Sequence, residues 1–297
     1  PHLVSSSTSA CAFSTSFSVL KYFLNESFKN ENVASKSPLL GLLNFNFDSL
    51  ESISTDDLIY SNIMANRIVL VSEDSDFFDF MIIGDGDRIV FTGDSVTDAG
   101  RGRPIGEGLH AGVGSGYVRQ IENLLNVLYP ERRFFITNTG CSGDTSRELK
   151  ARWQNDVMNL KPDWVSVMIG VNDVWRQFDS PGITTCHVYP DEYRSNLCEM
   201  LERTLPMVKG VILMSPFYME PQREDRMRQR IDEYIKICEE VAKKYNCHYI
   251  NMQQPFDDYL VYRHSSYIAW DRVHPGPIGS TIIAREFLKA IGVERAF

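Results

Sequence analysis

The sequence has no apolar run approaching the roughly 20 residues of a membrane span. Its six histidines show neither HxH nor HExxH spacing, so a metal site has no support in the pattern. Six cysteines (11, 141, 186, 198, 238 and 247) are scattered over 297 residues without CxxC spacing. They read as free, mostly buried thiols and not as a disulfide framework. Basic charge is in deficit: 30 Lys and Arg against 39 Asp and Glu give −9, with a pI near 5.2. A nucleic-acid binder needs a basic face, so that class is disfavoured, as is an anionic membrane surface. The start, Pro1-His2-Leu3, shows no basic n-region followed by a clean apolar h-region. The expected location is the cytoplasm.

Glycine and tryptophan are nearly missing from the first 80 residues, which hold one of nineteen glycines (Gly41) and none of the four tryptophans. Sixteen serines are there instead, and the charge is 4 basic minus 10 acidic. Short apolar patches such as residues 39–43 and 68–71 sustain neither helical nor strand periodicity. Residues 1–80 are therefore expected to be a poorly ordered Ser/Asn/Phe-rich extension. Nine phenylalanines also leave room for a small appended module.

From Met81 the pattern becomes regular. Apolar β-type runs at about 89–92, 134–138, 164–169, 211–214 and 248–252 alternate with helical patterns. The second of those helices is expected from about Thr145 to Leu160. Pro190 and Pro277 sit where helices begin, a position proline suits because the missing N–H would be unpaired there anyway. Strands alternating with amphipathic helices imply a parallel sheet covered on both faces. One α/β domain, a three-layer α/β/α sandwich with a five-stranded parallel sheet, is expected over 81–297. The glycine-rich stretch after residue 100 is no phosphate cradle, because no GK[ST] closes it and no GxGxxG opens a helix.

Four polar clusters fall at strand ends or just before the last helix: Gly93-Asp94-Ser95, Ser142-Gly143-Asp144, Gly170-Val171-Asn172-Asp173 and Asp271-Arg272-Val273-His274. In a parallel sheet the carboxyl ends of the strands share one edge, so these clusters converge. Acyl transfer needs a nucleophile, a base, an orienter and donors for an oxyanion. Ser95 offers the hydroxyl, His274 the base, and Asp271 a carboxylate close enough to fix the imidazole tautomer. The backbone N–H groups of Ser95 and Gly143 and the Asn172 amide are the expected oxyanion donors. Asp94 is read as turn support and Asp173 as a turn or cap residue. Trp175 and Trp270 are candidates for a sugar-facing role. Arg101, Arg103 and Arg176 either line the pocket or pair with acids.

The four blocks in this order resemble the SGNH, or GDSL, hydrolases over about residues 81–297. Within that superfamily the chain is most similar to small bacterial acetylxylan esterases and related carbohydrate deacetylases. The stretches that carry the likeness are 149–153, 162–177 and 269–275. The resemblance implies a flavodoxin-like SGNH fold and a Ser95–His274–Asp271 triad. It also implies oxyanion donors at Gly143 and Asn172, beside the Ser95 N–H expected above, and no cofactor. From their places beside the blocks, Trp175, Trp270 and Arg176 are the candidates to face an acylated saccharide, and the resemblance implies a homo-oligomer. The expected reaction is removal of short acyl groups, acetyl above all, from carbohydrates such as xylo-oligosaccharides. The alternatives are a lipase or thioesterase on the same scaffold, and a carbohydrate-binding protein that kept the fold without turnover.

Overall fold

The computed structural model describes residues 60–64, 67–71, 81–108 and 110–293. The chain divides into two compact units, Pro1–Phe78 and Asp79–Phe297. In the first, β1 (Tyr60–Met64) and β2 (Arg67–Val71) form an antiparallel hairpin, with Tyr60 opposite Val71 and Met64 opposite Arg67. The apolar run 68–71 falls in β2. The expectation of poor order for residues 1–80 otherwise lies outside the described residues.

The second unit is built on a six-stranded sheet. Its strands are β3 (Arg88–Gly93), β4 (Gly106–Glu107), β5 (Phe135–Asn138), β6 (Trp164–Met168), β7 (Gly210–Met214) and β8 (His248–Ile250), in the order β4-β5-β3-β6-β7-β8. Five of them are parallel and coincide with the five apolar runs of the sequence. The sixth, β4, is a correction to the expected five-stranded sheet: two residues pair antiparallel to β5, Gly106 with Asn138 and Glu107 with Thr137. Two residues are too few to show a period, so this strand leaves no pattern to read.

The helices are α1 (Ser95–Asp98), α2 (Tyr117–Leu128), α3 (Ser146–Asp156), α4 (Val171–Asp179), α5 (Pro190–Thr204), α6 (Arg226–Lys244), α7 (Gln253–Leu260) and α8 (Pro277–Ala290). Proline opens both α5 and α8. A capping box starts α3: Thr145 accepts from the Arg147 N–H, and Glu148 reaches back to the Thr145 N–H. Asp225 caps α6 through the Arg228 N–H at 2.9 Å.

Alternation along the strands splits the core in two. Ile89, Phe91, Ile212 and Met214 face Tyr117, Ile121 and Leu125 of α2 and Ile283 and Phe287 of α8. Val90, Val165, Val167, Val211 and Leu213 face Leu149 and Trp153 of α3, Leu197 and Leu201 of α5, and Ile231 and Cys238 of α6. Both faces of the sheet are thus buried, which is why its strands read as near-continuous apolar runs. The chain steps outward from β3 to β5, then returns past β3 to β6. Such a reversal leaves a crevice at the carboxyl ends of the strands, where open α/β sheets bind ligands. Among the described residues no helix is long and apolar enough to cross a membrane.

Candidate active site

The three strands around that reversal each end in one of the polar blocks. β3 stops at Gly93, where an added Cβ would sit 2.1 Å from the Met168 carbonyl of β6 and 2.7 Å from Thr97 Oγ1. Only glycine lets β3 and β6 approach so closely at this point. Asp94 then caps α1 by accepting the Val96 N–H at 2.9 Å, and Ser95 is the first residue of that helix. β5 leads into the turn that carries Gly143, whose φ of +89° suits glycine. β6 leads through Gly170 into α4, which carries Asn172, Trp175 and Arg176. Those three lie at helical spacings of three and four, on one side of α4.

Ser95 Oγ lies 2.8 Å from His274 Nε2. His274 Nδ1 lies 2.5 Å from Asp271 Oδ2, and Asp271 Oδ1 accepts the backbone N–H groups of His274 (2.8 Å) and Val273 (3.0 Å). Burial alone would raise the Asp271 carboxyl. The His274 ring and the two backbone N–H groups outweigh it and hold Asp271 below the usual carboxylate value. Because Asp271 takes Nδ1–H, Nε2 is left with a lone pair aimed at the serine.

A cavity of about 460 Å³ opens at this relay. Ser95, His274, Gly143, Asn172, Trp175 and Arg176 all line it, joined by Ala99, Gly100 and Ser142. A Cβ at Gly143 would meet nothing within 4 Å, so its backbone faces open space. Asn172 is buried and gives one amide hydrogen to the Asp144 carbonyl at 2.9 Å. An asparagine amide has two, so one remains for a ligand. The Trp175 ring packs against His274 with centroids 5.7 Å apart, and Arg176 Cζ lies 5.0 Å from the Trp175 centroid. Arg176 also pairs with Asp179.

Trp270 stands apart from this group. It is 85% exposed and does not line the cavity, while its neighbour Ala269 is buried and bridged to Pro275. Arg101 and Arg103 do not line it either. Arg101 is buried and donates to the carbonyls of Gly140, Gly102 and Pro104, and Arg103 pairs with Asp98. Two residues at the site escape a reading by motif. Arg152 on α3 donates to the carbonyls of Gly93 (2.8 Å) and Thr139 (2.6 Å) and to Asp144, binding the first two blocks together. Asp98 holds Ser142. Their partners include backbone groups of Gly93, Thr139 and Ser142, which lie far away in sequence, and no spacing rule reports that.

Burial pushes the Asp94 carboxyl up to about 7, the Val96 N–H offsetting only part of it. Asp173 is likewise raised to about 7 by burial, against its bonds from Ser146. Asp144 is raised by burial and lowered again in part by Arg152. Among the described residues no group of three His, Cys, Asp or Glu side chains is arranged to hold a metal ion.

A polar relay ending in a serine at a strand end invites comparison with known hydrolases. The GDSL-like lipase/acylhydrolase family matches residues 91–282, which hold all four blocks. The chain belongs to this family. Its reaction class is carboxylic ester hydrolysis. An acetylxylan esterase of Geobacillus stearothermophilus is 47% identical over 214 residues, which is 72% of this chain and 98% of that protein. The crystal structure of the acetylxylan esterase Axe2 from the same organism matches with a TM-score of 0.71 and 46% identity, over 72% of this chain and 98% of that one. LAE5, an alpha/beta hydrolase from the metagenome of Lake Arreo, Spain, matches with a TM-score of 0.70 at 49% identity, again over 72% and 98%. The SGNH fold expected from the four blocks is therefore the fold of this member of the family.

Proposed function

We propose that the chain removes short acyl groups, acetyl above all, from carbohydrates such as xylo-oligosaccharides, with Ser95, His274 and Asp271 as its triad. The observation that carries this reading is the unbroken relay from Ser95 Oγ through His274 (2.8 Å) to Asp271 (2.5 Å) at the mouth of a cavity. Supporting it, the similar Axe2 has catalytic variants with a serine, an aspartate or a histidine replaced by alanine. Its aspartate and histidine stand three positions apart, as Asp271 and His274 do.

In this scheme Ser95 Oγ attacks the ester carbonyl while His274 Nε2 takes its proton. Asp271 keeps the tautomer and stabilises the imidazolium. The oxyanion is met by the N–H groups of Ser95 and Gly143 and by the free Asn172 amide hydrogen. Loss of one such donor costs about 3–4 kcal/mol of transition-state stabilisation. The bond from carbonyl carbon to sugar oxygen breaks, and His274 returns the proton to the leaving hydroxyl. Water, activated by His274, then hydrolyses the acyl-enzyme to give the free acid and Ser95. The scheme uses no cofactor. Trp175 and Arg176 line the space where the saccharide would rest, and an indole face suits a sugar ring. A contact from Trp270 would need a saccharide that extends past the cavity.

The test is hydrolysis of p-nitrophenyl esters by the wild type and Ser95→Ala. The wild type should turn over acetate and the variant should fall by about 10⁴-fold or more, as expected for loss of a triad nucleophile. A preference for octanoate over acetate would replace the deacetylase reading by a lipase or thioesterase. Assembly as a homo-oligomer and a cytoplasmic setting complete the proposal. The second draws on the thiols, since all five described cysteines are unpaired. Size-exclusion chromatography tests the first.

A further inference from the structure

The turn that presents Gly143 runs over residues 141–145 between β5 and α3, and Ser142 and Gly143 are exposed. One backbone bond closes within it, from the Asp144 N–H to the Cys141 carbonyl at 3.2 Å. Oxyanion stabilisation depends on donors held to within about 0.5 Å of their working position. A turn so lightly bonded to itself needs support from outside. The Gly93 carbonyl accepts the Cys141 N–H at 3.0 Å, and Asn172 and Arg152 hold Asp144. Two carboxyl groups hold the residues on either side, Ser142 and Ser146. Asp98 lies on α1, one helical turn beyond Ser95. Its Oδ2 accepts the Ser142 N–H (3.1 Å), the Ser142 hydroxyl (2.7 Å) and Arg103 Nη2 (2.6 Å). Its Oδ1 is buried without a partner, so one oxygen carries all three of these bonds. Asp173 lies on α4 beside Asn172 and is fully buried. It accepts the Ser146 N–H through both oxygens (3.0 and 3.2 Å) and the Ser146 hydroxyl at 2.5 Å. Asn196 donates to the same hydroxyl at 3.0 Å.

We propose that Asp98 and Asp173 are positioning residues of the oxyanion hole. Asp98 ties Ser142 within the turn, and Asp173 ties Ser146 at the start of α3 directly after it, each to the helix that carries another donor, so that Ser95, Gly143 and Asn172 are held as one unit. Asp98 joins the turn to the nucleophile helix. Asp173 joins it to the helix of the Asn172 amide. Neither carboxylate touches the substrate; each acts through the turn. The inference rests on the esterase reading above, with Gly143 as an oxyanion donor.

The experiment uses the full chain with Asp98→Ala, Asp98→Asn, Asp173→Asn and Ser142→Ala. For each, kcat and KM on p-nitrophenyl acetate are measured together with inhibition by methylboronic acid, which forms a tetrahedral adduct on a reactive serine. In Asp98→Ala, kcat should fall by about 10–100-fold, less than the about 10²–10³ of a lost donor, with KM within about twofold. Boronate affinity should fall in parallel. Asp98→Asn keeps an acceptor oxygen and should recover most of the loss, and Asp173→Asn and Ser142→Ala should lose several-fold. An unchanged kcat in all four variants overturns the proposal. So does a fall in kcat that leaves boronate affinity intact, because that loss would not lie in the oxyanion hole. Thermal melts show whether Asp98→Ala folds; if it does not, Asp98→Asn and Ser142→Ala carry the same comparison of kcat with boronate affinity. Failure of the esterase reading is separate: wild type and Ser95→Ala would then be equally inactive.

Discussion

At the scale of single residues, the site depends on groups whose usual behaviour has been altered by their neighbours. Gly143 is the plainest case. With φ at +89° and open space where a Cβ would go, alanine there costs backbone strain and meets no clash. Gly143→Ala should therefore lower kcat by at least about tenfold while costing only about 1–2 kcal/mol of stability, the penalty for an L residue in a left-handed conformation. Parallel kinetics and thermal melts would separate the two effects. Asp94 gives a pH prediction. Its carboxyl is raised by burial from 3.8 to about 7 in the fold. The stability it supplies is whole below about pH 4 and is lost as pH rises through about 7, because the unfolded chain gives up the proton first. Asparagine caps a helix as well as aspartate does, so Asp94→Asn should keep the Val96 bond and remove the buried charge. Melts across pH 4–8 should show a flatter profile for the variant and a gain on the order of 1–4 kcal/mol at pH 8. Asp271 has the opposite sign: held low in the fold, it contributes above about pH 4 and is lost in acid. Ser95, Gly143, Asn172 and His274 were legible in the sequence because each sits in a short block at a strand end or before a helix. The roles of Asp98 and Arg152 were not, since among what they hold are Gly93, Thr139 and Ser142, groups that only folding brings near.

At the scale of elements, legibility followed length and burial. The five parallel strands and the long helices α2, α5, α6 and α8 carry enough apolar positions to declare their period. α4 was different. Gly170-Val171-Asn172-Asp173 reads as a turn, and the stretch up to Pro190 reads as loop, yet residues 171–179 are helical without a side-chain cap at the N-terminus. Val171 and Val174 bury one side of it, while Asn172, Trp175 and Arg176 take the cavity side. Nine residues give two buried apolar positions, too few for a clear helical signal, and the cavity-lining side chains take up much of the rest. β3 and β6 are held by a contact that one atom would disrupt. Gly93→Ala places a Cβ 2.1 Å from the Met168 carbonyl, against backbone that cannot move aside without breaking the β3–β6 register. The variant should lose more than about 3 kcal/mol in chemical denaturation, in the range of overpacked or strained core sites. Loss of activity should follow, since Arg152 grips the Gly93 carbonyl and the Ser95 helix starts two residues on. Stability within about 0.5 kcal/mol of wild type would mean that the two strands can separate at this point without cost.

At the scale of the whole molecule, the unit that carries the Ser95–His274–Asp271 relay closes on itself. Both apolar cores are made of residues from Met81 to Val293, one on each face of the sheet. Ile82 donates its N–H to the Ile291 carbonyl at 2.9 Å, so the start of this unit is fastened to its last helix. The family match, residues 91–282, falls inside it. Among the described residues, the relay from Ser95 to Asp271, the cavity and the supports of the turn that carries Gly143 also draw on this unit. A domain of about 200 residues buries roughly 70% of the surface its unfolded chain exposes, enough for independent stability. The fragment 81–297 should therefore fold cooperatively and keep kcat and KM on p-nitrophenyl acetate within about twofold of the full chain. Kinetics on the two forms at equal concentrations of labelled Ser95 would check this. A fragment that folds, shown by a single cooperative melt, but loses more than about tenfold in kcat would assign residues 1–80 a part in the chemistry. A change confined to elution volume would place their role in assembly.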